Sequence, residues 1–314
     1  MRVSVEGIWR AARAVDPVYL DTPQWISEPL ARGTGLELLL KDETRNPLRS
    51  FKGRGTDWLV RRLPDERPLV CASAGNFGQG MARAARSRGV PLVVYAAEGA
   101  NRLKVKRMEE LGAEVRLVGR DFEEAKAAAR SAAEERGWRF VEDGEAPEIA
   151  EGAGTLGLEL LGFARRPDVV LVPVGNGALA AGVGTAIRAE APAIRLVGVC
   201  AAGAPAMERS WRSDRPVSTG PVDTVADGIA VREPVPEVLP VLRQVVDEML
   251  LVDDDDLLEA MRLLHREAGI VAEPAGAAAV AAALRHRDRL DARLVAAVVT
   301  GGNVTRRQMR RWLC

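Results

Sequence analysis

The chain has 314 residues, 47% hydrophobic and 28% charged, enough to bury a sizeable core in two lobes and too balanced to stay disordered. Its 44 basic and 44 acidic side chains cancel to +0 at pH 7, which removes the electrostatic footprint that nucleic acid or an anionic membrane requires. Two histidines, His265 and His286, and three scattered cysteines, Cys71, Cys200 and Cys314, offer neither metal-ligand spacing nor a disulfide framework.

Residues 1–20 hold no apolar stretch of signal-peptide length, and no run of about 18 apolar residues follows. A soluble, unexported chain in a reducing cytoplasm is expected, with Cys71 and Cys200 as buried thiols in apolar runs and Cys314 loose at the end. Val/Leu-rich runs predict strands over 36–40, 68–73, 91–95, 114–118, 168–173, 195–199, 249–252 and 294–299. Several lack polar alternation, as parallel strands covered on both faces do. Helices are predicted over 78–88, 101–111 with Asn101 as N-cap, 122–136, 178–189 and 257–268. This alternation argues an α/β architecture of mostly parallel sheets flanked by helices. Residues 210–240 are proline-punctuated and read as a long surface connection, and the acidic run 253–256 as an N-cap cluster rather than a metal site.

Chemistry is expected at the carboxyl ends of strands, where four polar, glycine-rich turns fall. The first is Ser50-Phe51-Lys52-Gly53-Arg54-Gly55, ahead of a helix beginning near Thr56. Only five of the 44 basic residues are lysines, so a lysine kept among small residues suggests amine chemistry that a guanidinium cannot perform. The second, from Ala72 to Gly80, exposes successive backbone N–H groups at a helix start that could cradle a carboxylate, with Asn76 able to reach a ring oxygen. The third, Gly175-Asn176-Gly177-Ala178-Leu179, suits a phosphate but matches neither the dinucleotide fingerprint nor the P-loop. The fourth is Thr300-Gly301-Gly302-Asn303, whose hydroxyl could meet a heterocyclic nitrogen. Taken singly, each is equally an ordinary strand-to-helix turn.

Together, in this order and spacing, the four turns resemble those of fold-type II pyridoxal-phosphate enzymes, and among them the threonine/serine dehydratases. The resemblance also takes in Lys41-Asp42-Glu43, Gly154-Thr155-Leu156-Gly157-Leu158-Glu159, Ala226-Asp227-Gly228-Ile229-Ala230 and Glu273-Pro274-Ala275-Gly276, and so extends over nearly the whole chain. It implies a two-domain, tryptophan synthase β-like fold, with residues 1–65 and 147–314 as the large cofactor domain and 66–146 as a small mobile one. It implies pyridoxal 5'-phosphate in Schiff-base linkage to Lys52, next to Phe51, with Asn76 on the ring oxygen and Thr300 on the ring nitrogen. Gly175, Asn176, Gly177, Ala178 and Leu179 would hold the phosphate, and Glu273 would stand close behind the cofactor. Ser73, Ala74, Gly75, Asn76 and Phe77 would receive the substrate carboxylate.

A hydroxyl at the ring nitrogen does not stabilise a pyridinium, so prompt β-elimination is favoured over transamination. The implied cycle has Lys52 take the Cα proton, the β-substituent leave with a proton from the cofactor phosphate, and the enamine hydrolyse to a 2-oxo acid and ammonia. The sequence departs from the family pattern in four places: Phe77 where histidine is common, Ala153 where glutamine is usual, and Asn176 and Ala178 for two glycines. Ala74 stands where serine racemases place a second base, and Cys200 where that branch often carries a metal-binding glutamate. Racemisation and a bound metal are accordingly not expected, and because the chain ends shortly after Thr300–Asn303, neither is an allosteric amino-acid-binding domain. A homodimer acting on a small amino acid is expected from the resemblance. Two alternatives stay open: β- or γ-replacement, as in cysteine synthase-like or threonine synthase-like enzymes, and a non-catalytic amino-acid-binding protein.

Overall fold

The computed structural model describes residues 1–313, so the expectation for Cys314 lies outside the described residues. Its strands are β1 (Gln24–Ile26), β2 (Glu37–Asp42), β3 (Leu69–Ala72), β4 (Leu92–Ala96), β5 (Glu114–Leu117), β6 (Arg139–Phe140), β7 (Val169–Pro173), β8 (Arg195–Ala201), β9 (Glu248–Val252) and β10 (Leu294–Val299). The helices of the first half are α1 (Val5–Ala14), α2 (Glu28–Thr34), α3 (Lys52–Arg61), α4 (Asn76–Ser87), α5 (Arg102–Glu110), α6 (Phe122–Arg136) and α7 (Pro147–Leu161). Those of the second half are α8 (Ala178–Glu190), α9 (Ala206–Ser213), α10 (Leu239–Val245), α11 (Asp254–Ala268), α12 (Pro274–Arg285), α13 (Arg287–Leu290) and α14 (Arg306–Trp312).

Six strands form one sheet in the order β1-β2-β10-β7-β8-β9, parallel throughout except for the edge strand β1. Four form a second, wholly parallel sheet in the order β5-β4-β3-β6. Side chains alternate between two hydrophobic clusters along the central strands. Val170 and Val172 of β7 face one cluster, while Val169 and Leu171 face the other. Both faces are therefore dry, which is why these strands read as unbroken apolar runs. The first cluster continues onto one face of the smaller sheet through Leu69, Cys71, Leu92 and Val94, so one core joins the two sheets. Each such buried Val or Leu contributes on the order of 1.5–3 kcal/mol.

Several elements differ from expectation. β1 and β6, three and two residues long, are half-buried at their sheet edges, too short to show a period. The helix expected near Thr56 begins at Lys52, with Phe51 already in αR conformation, so the lysine opens the helix rather than ending the turn. The helices α7 and α12 were not predicted because they are buried nearly all round and carry no amphipathic stripe. The segment 210–240 is a long connection, but not a surface one: Ala226, Ile229, Val235 and Val238 are buried, and its middle lines the central cavity. The run 253–256 caps α11, where Asp253 accepts from Asp256 N and Asp256 accepts from Asp253 N in a capping box. Cys71 and Cys200 are buried thiols, each pushed up to about 12 by burial.

Candidate active site

Each sheet has one place where the order of its parallel strands reverses. In the larger sheet it lies between β10 and β7, in the smaller between β3 and β6. A crevice opens at the carboxyl ends of such strands because successive crossovers diverge to opposite sides. The two crevices meet in one cavity of about 530 Å³, and every site residue expected from the sequence lines it. Those residues are Phe51, Lys52, the loop from Ser73 to Phe77, the turn from Gly175 to Leu179, Glu273 and Thr300.

Lys52 is placed by two sets of restraints. The carboxamide of Asn46 donates to the carbonyls of Glu43 (2.9 Å) and Ser50 (3.0 Å), which sets the turn into α3. Phe51 N then donates to Thr300 O at 3.0 Å, tying the lysine's neighbour to the end of β10. From below, Arg54, itself fully buried, anchors the helix in a largely buried ionic cluster. Its guanidinium donates to Glu43 Oε1 (2.8 Å), Glu43 Oε2 (2.9 Å), Glu159 Oε1 (2.5 Å), Thr155 Oγ1 (2.9 Å) and Thr22 Oγ1 (3.0 Å). Lys41 Nζ donates to Glu159 Oε2 at 2.5 Å, closing the cluster. Burial acts to raise the Glu159 carboxyl, but Arg54 and Lys41 together hold it below the usual range. The Lys41–Glu43 and Gly154–Glu159 segments, which the sequence offered only as resemblance, thus act by holding Arg54 in place.

Lys52 Nζ donates to Asp143 Oδ2 at 2.5 Å, with the rings of Phe51 and Phe77 at 4.8 and 6.0 Å. Asp143 follows β6 and went unnoticed in the sequence, since 91 positions separate it from the lysine. Opposite, Ser73 Oγ accepts from Gly75 N (3.2 Å) and Gly78 N (2.9 Å) and holds the loop before α4 open towards the cavity. Asn76 is fixed at both ends of its amide: Nδ2 donates to Glu273 Oε1 (2.6 Å), and Oδ1 accepts from Asn303 Nδ2 (2.8 Å). One N–H of Asn76 therefore remains for a ligand. Arg107 of α5 in turn donates to Asn303 Oδ1 at 2.8 Å, and Lys104 pairs with Asp227, so α5 links the two sheets' loops across the cleft.

The turn after β7 has the build of an anion cradle. Gly177 has φ +86°, a left-handed conformation that favours glycine, and it caps the 13-residue helix α8 with no side chain in the way. A Cβ on Gly175 would come within 2.9 Å of Gly228 O, so only glycine lets the two loops approach this closely. Unsatisfied N–H groups and the helix dipole then favour a phosphate. Of the positions that depart from the family pattern, Ala74, Phe77, Asn176 and Ala178 line the cavity, while Ala153 and Cys200 are buried and do not.

Glu273 is buried, and burial, with Asp227 nearby, pushes its carboxyl up to about 7 against the opposing effects of Lys104, Asn76 and Asn303. A raised folded pKa means that the native state holds the proton more tightly. The resulting stability is full below the reference value of 4.5 and is lost as pH rises to about 7. In the cofactor-free protein, the thermal midpoint of wild type relative to Glu273→Gln should therefore fall between pH 4.5 and 7. A difference that stays flat across that range would contradict the assignment.

The family model described as "Pyridoxal-phosphate dependent enzyme" matches residues 15–301. An L-threonine ammonia-lyase of Thermotoga maritima is 37% identical over 305 residues, covering 96% of this chain and 76% of that protein. A second, from Geobacter sulfurreducens, is 38% identical over 275 residues, covering 86% of this chain and 68% of that one. Among solved structures, a T.th. threonine deaminase superposes with TM-score 0.91 at 35% identity, covering 96% of this chain and 99% of that one. Maize serine racemase superposes with TM-score 0.93 at 26% identity, covering 99% and 97%.

Proposed function

The chain belongs to the pyridoxal-phosphate-dependent enzymes, as a lyase, and we propose that it deaminates a hydroxyamino acid, L-threonine first and L-serine second, by β-elimination to a 2-oxo acid and ammonia. The observation that carries this reading is that one cavity is lined by a lysine amine, an anion cradle, a carboxylate-sized loop of backbone N–H groups and a strand-end hydroxyl.

The cavity fits the cofactor by its donor set. Gly175 to Leu179 would take the phosphate, Asn76 the ring oxygen, Thr300 the ring nitrogen, and Lys52 the carbonyl carbon. Phe51 flanks the lysine, and Glu273 fixes Asn76. When bound, the cofactor supplies an electron sink for the bond broken at Cα. Ser73, Ala74, Gly75, Asn76 and Phe77 bind the substrate carboxylate at the start of α4 and so orient Cα towards Lys52. Lys52, freed as an amine, takes the Cα proton. The hydroxyl leaves Cβ with a proton, as water, while the Cα–Cβ double bond forms; the enamine product then gains a proton at Cβ and is hydrolysed at Cα, water supplying the oxygen as ammonia departs, so that the sequence is redox-neutral.

Residues 66–146, which carry the smaller sheet, form a small mobile domain over a large one made of 1–65 and 147–314. Its closure excludes water from the cleft. The protein works as a homodimer in the cytoplasm; the two buried, unpaired thiols support a reducing compartment. No helix among the described residues is long and apolar enough to cross a membrane.

The test is the visible spectrum of the purified protein before and after L-threonine and then L-serine. A Schiff-base band that changes while 2-oxo acid and ammonia accumulate in equal amounts is the expected result. A new amino acid formed on adding sulfide, without stoichiometric ammonia, would show replacement instead. An unchanged band would exclude both substrates.

A further inference from the structure

Asp143 stands at the β3/β6 switch point and touches the one amine that must meet Cα. Its Oδ2 accepts from Lys52 Nζ, but its Oδ1 is buried and has no partner among the described residues. An unsatisfied buried carboxylate oxygen is costly unless a ligand completes it. The other cavity carboxylates are answered by the protein. Glu142 pairs with Lys126 and Arg130, Asp227 with Lys104, Asp121 and Glu233 with Arg232, Glu123 with Lys126, and Glu273 accepts from Asn76 and Asn303. Seven carboxylates against four cations line the cavity, and its one arginine, Arg232, is already paired, so no free guanidinium awaits an acidic side chain.

We propose that Asp143 selects the substituent at the substrate's Cβ: it accepts a hydrogen bond from a β-hydroxyl and repels a β-carboxylate. The reach follows from contact: a carboxylate touching Lys52 Nζ lies within one small group of the carbon from which that nitrogen takes a proton. The proposal rests on the lyase reading and assigns its substrate class, amino acids with an uncharged, hydrogen-bond-donating group at Cβ.

Its test compares dissociation constants within each holoenzyme, read from the Schiff-base band and by calorimetry. The ligands are L-threonine, L-2-aminobutyrate, which lacks only the hydroxyl, and L-threo-3-hydroxyaspartate. Wild type should favour threonine over aminobutyrate by roughly 10-fold, and Asp143→Ala should erase that ratio. Asp143→Asn keeps an acceptor without the charge; it should preserve the ratio yet bind hydroxyaspartate at least about 10-fold more tightly. Ratios taken within one variant cancel any change in cofactor loading, which a merely structural role would alter. Equal binding of threonine and aminobutyrate by wild type, or an unchanged ratio in Asp143→Ala, overturns the proposal, as does unimproved hydroxyaspartate binding in Asp143→Asn. If threonine is bound in preference but yields no 2-oxo acid, the elimination reading fails while the assignment of Asp143 stands.

Discussion

Lys52→Ala is expected to lower turnover of L-threonine by at least about 10³-fold and to abolish the Schiff-base band, since one amine serves as both covalent anchor and base. The fold should survive. Lys52 occupies only the first position of α3, and the helix is held by Arg54 and the Asn46 turn rather than by its first side chain. What the change does leave is Asp143 without its cation in a largely buried setting. Lys52→Arg separates the two effects: a guanidinium can still face Asp143 but cannot form the Schiff base. The arginine variant should therefore be as inactive as the alanine variant while retaining more of the wild-type thermal midpoint. Residual turnover above about a hundredth of wild type in either would remove Lys52 from the chemistry.

Arg54→Met should cost about 3–5 kcal/mol, because it leaves the buried Glu43 and the largely buried Glu159 with Lys41 as the one remaining cation of the cluster. At roughly 2–4 °C per kcal/mol for a chain approaching this size, the midpoint should drop on the order of 10 °C. The control is Arg165→Met, whose ion pair with Glu37 lies at the surface in water; such a pair contributes little, so the midpoint should barely move. Similar small losses in both variants would mean that the buried cluster is not what fixes α3. Activity should fall with Arg54→Met as well, since the cluster sets the position from which Lys52 reaches the cavity.

The strands most visible in the sequence are those with two dry faces. The strand predicted at 294–299 forms as Leu294–Val299, and the expected helix 122–136 forms with Asp121 as its cap. Boundaries drifted where backbone geometry rather than side-chain pattern decides, as at Lys52. The packing of α7 against α8 explains why α7 was hidden although α8 was predicted. A Cβ on Gly182 would sit 1.9 Å from Ala150 O, so these helices touch backbone to backbone through small residues that leave no periodic signature.

By itself the sequence determined the alternation of strand and helix, and it placed four polar turns at strand ends, because local propensity and burial pattern are written residue by residue. Only the tertiary structure decided which turns share a crevice, since that depends on strand order, to which no local pattern is sensitive. It alone brought Arg107 to Asn303, Lys104 to Asp227, Glu159 to Arg54 and Asp143 to Lys52, across 196, 123, 105 and 91 positions. Polar contacts at such separations leave no trace along the chain, because their energy depends on distance in space and not on spacing in sequence.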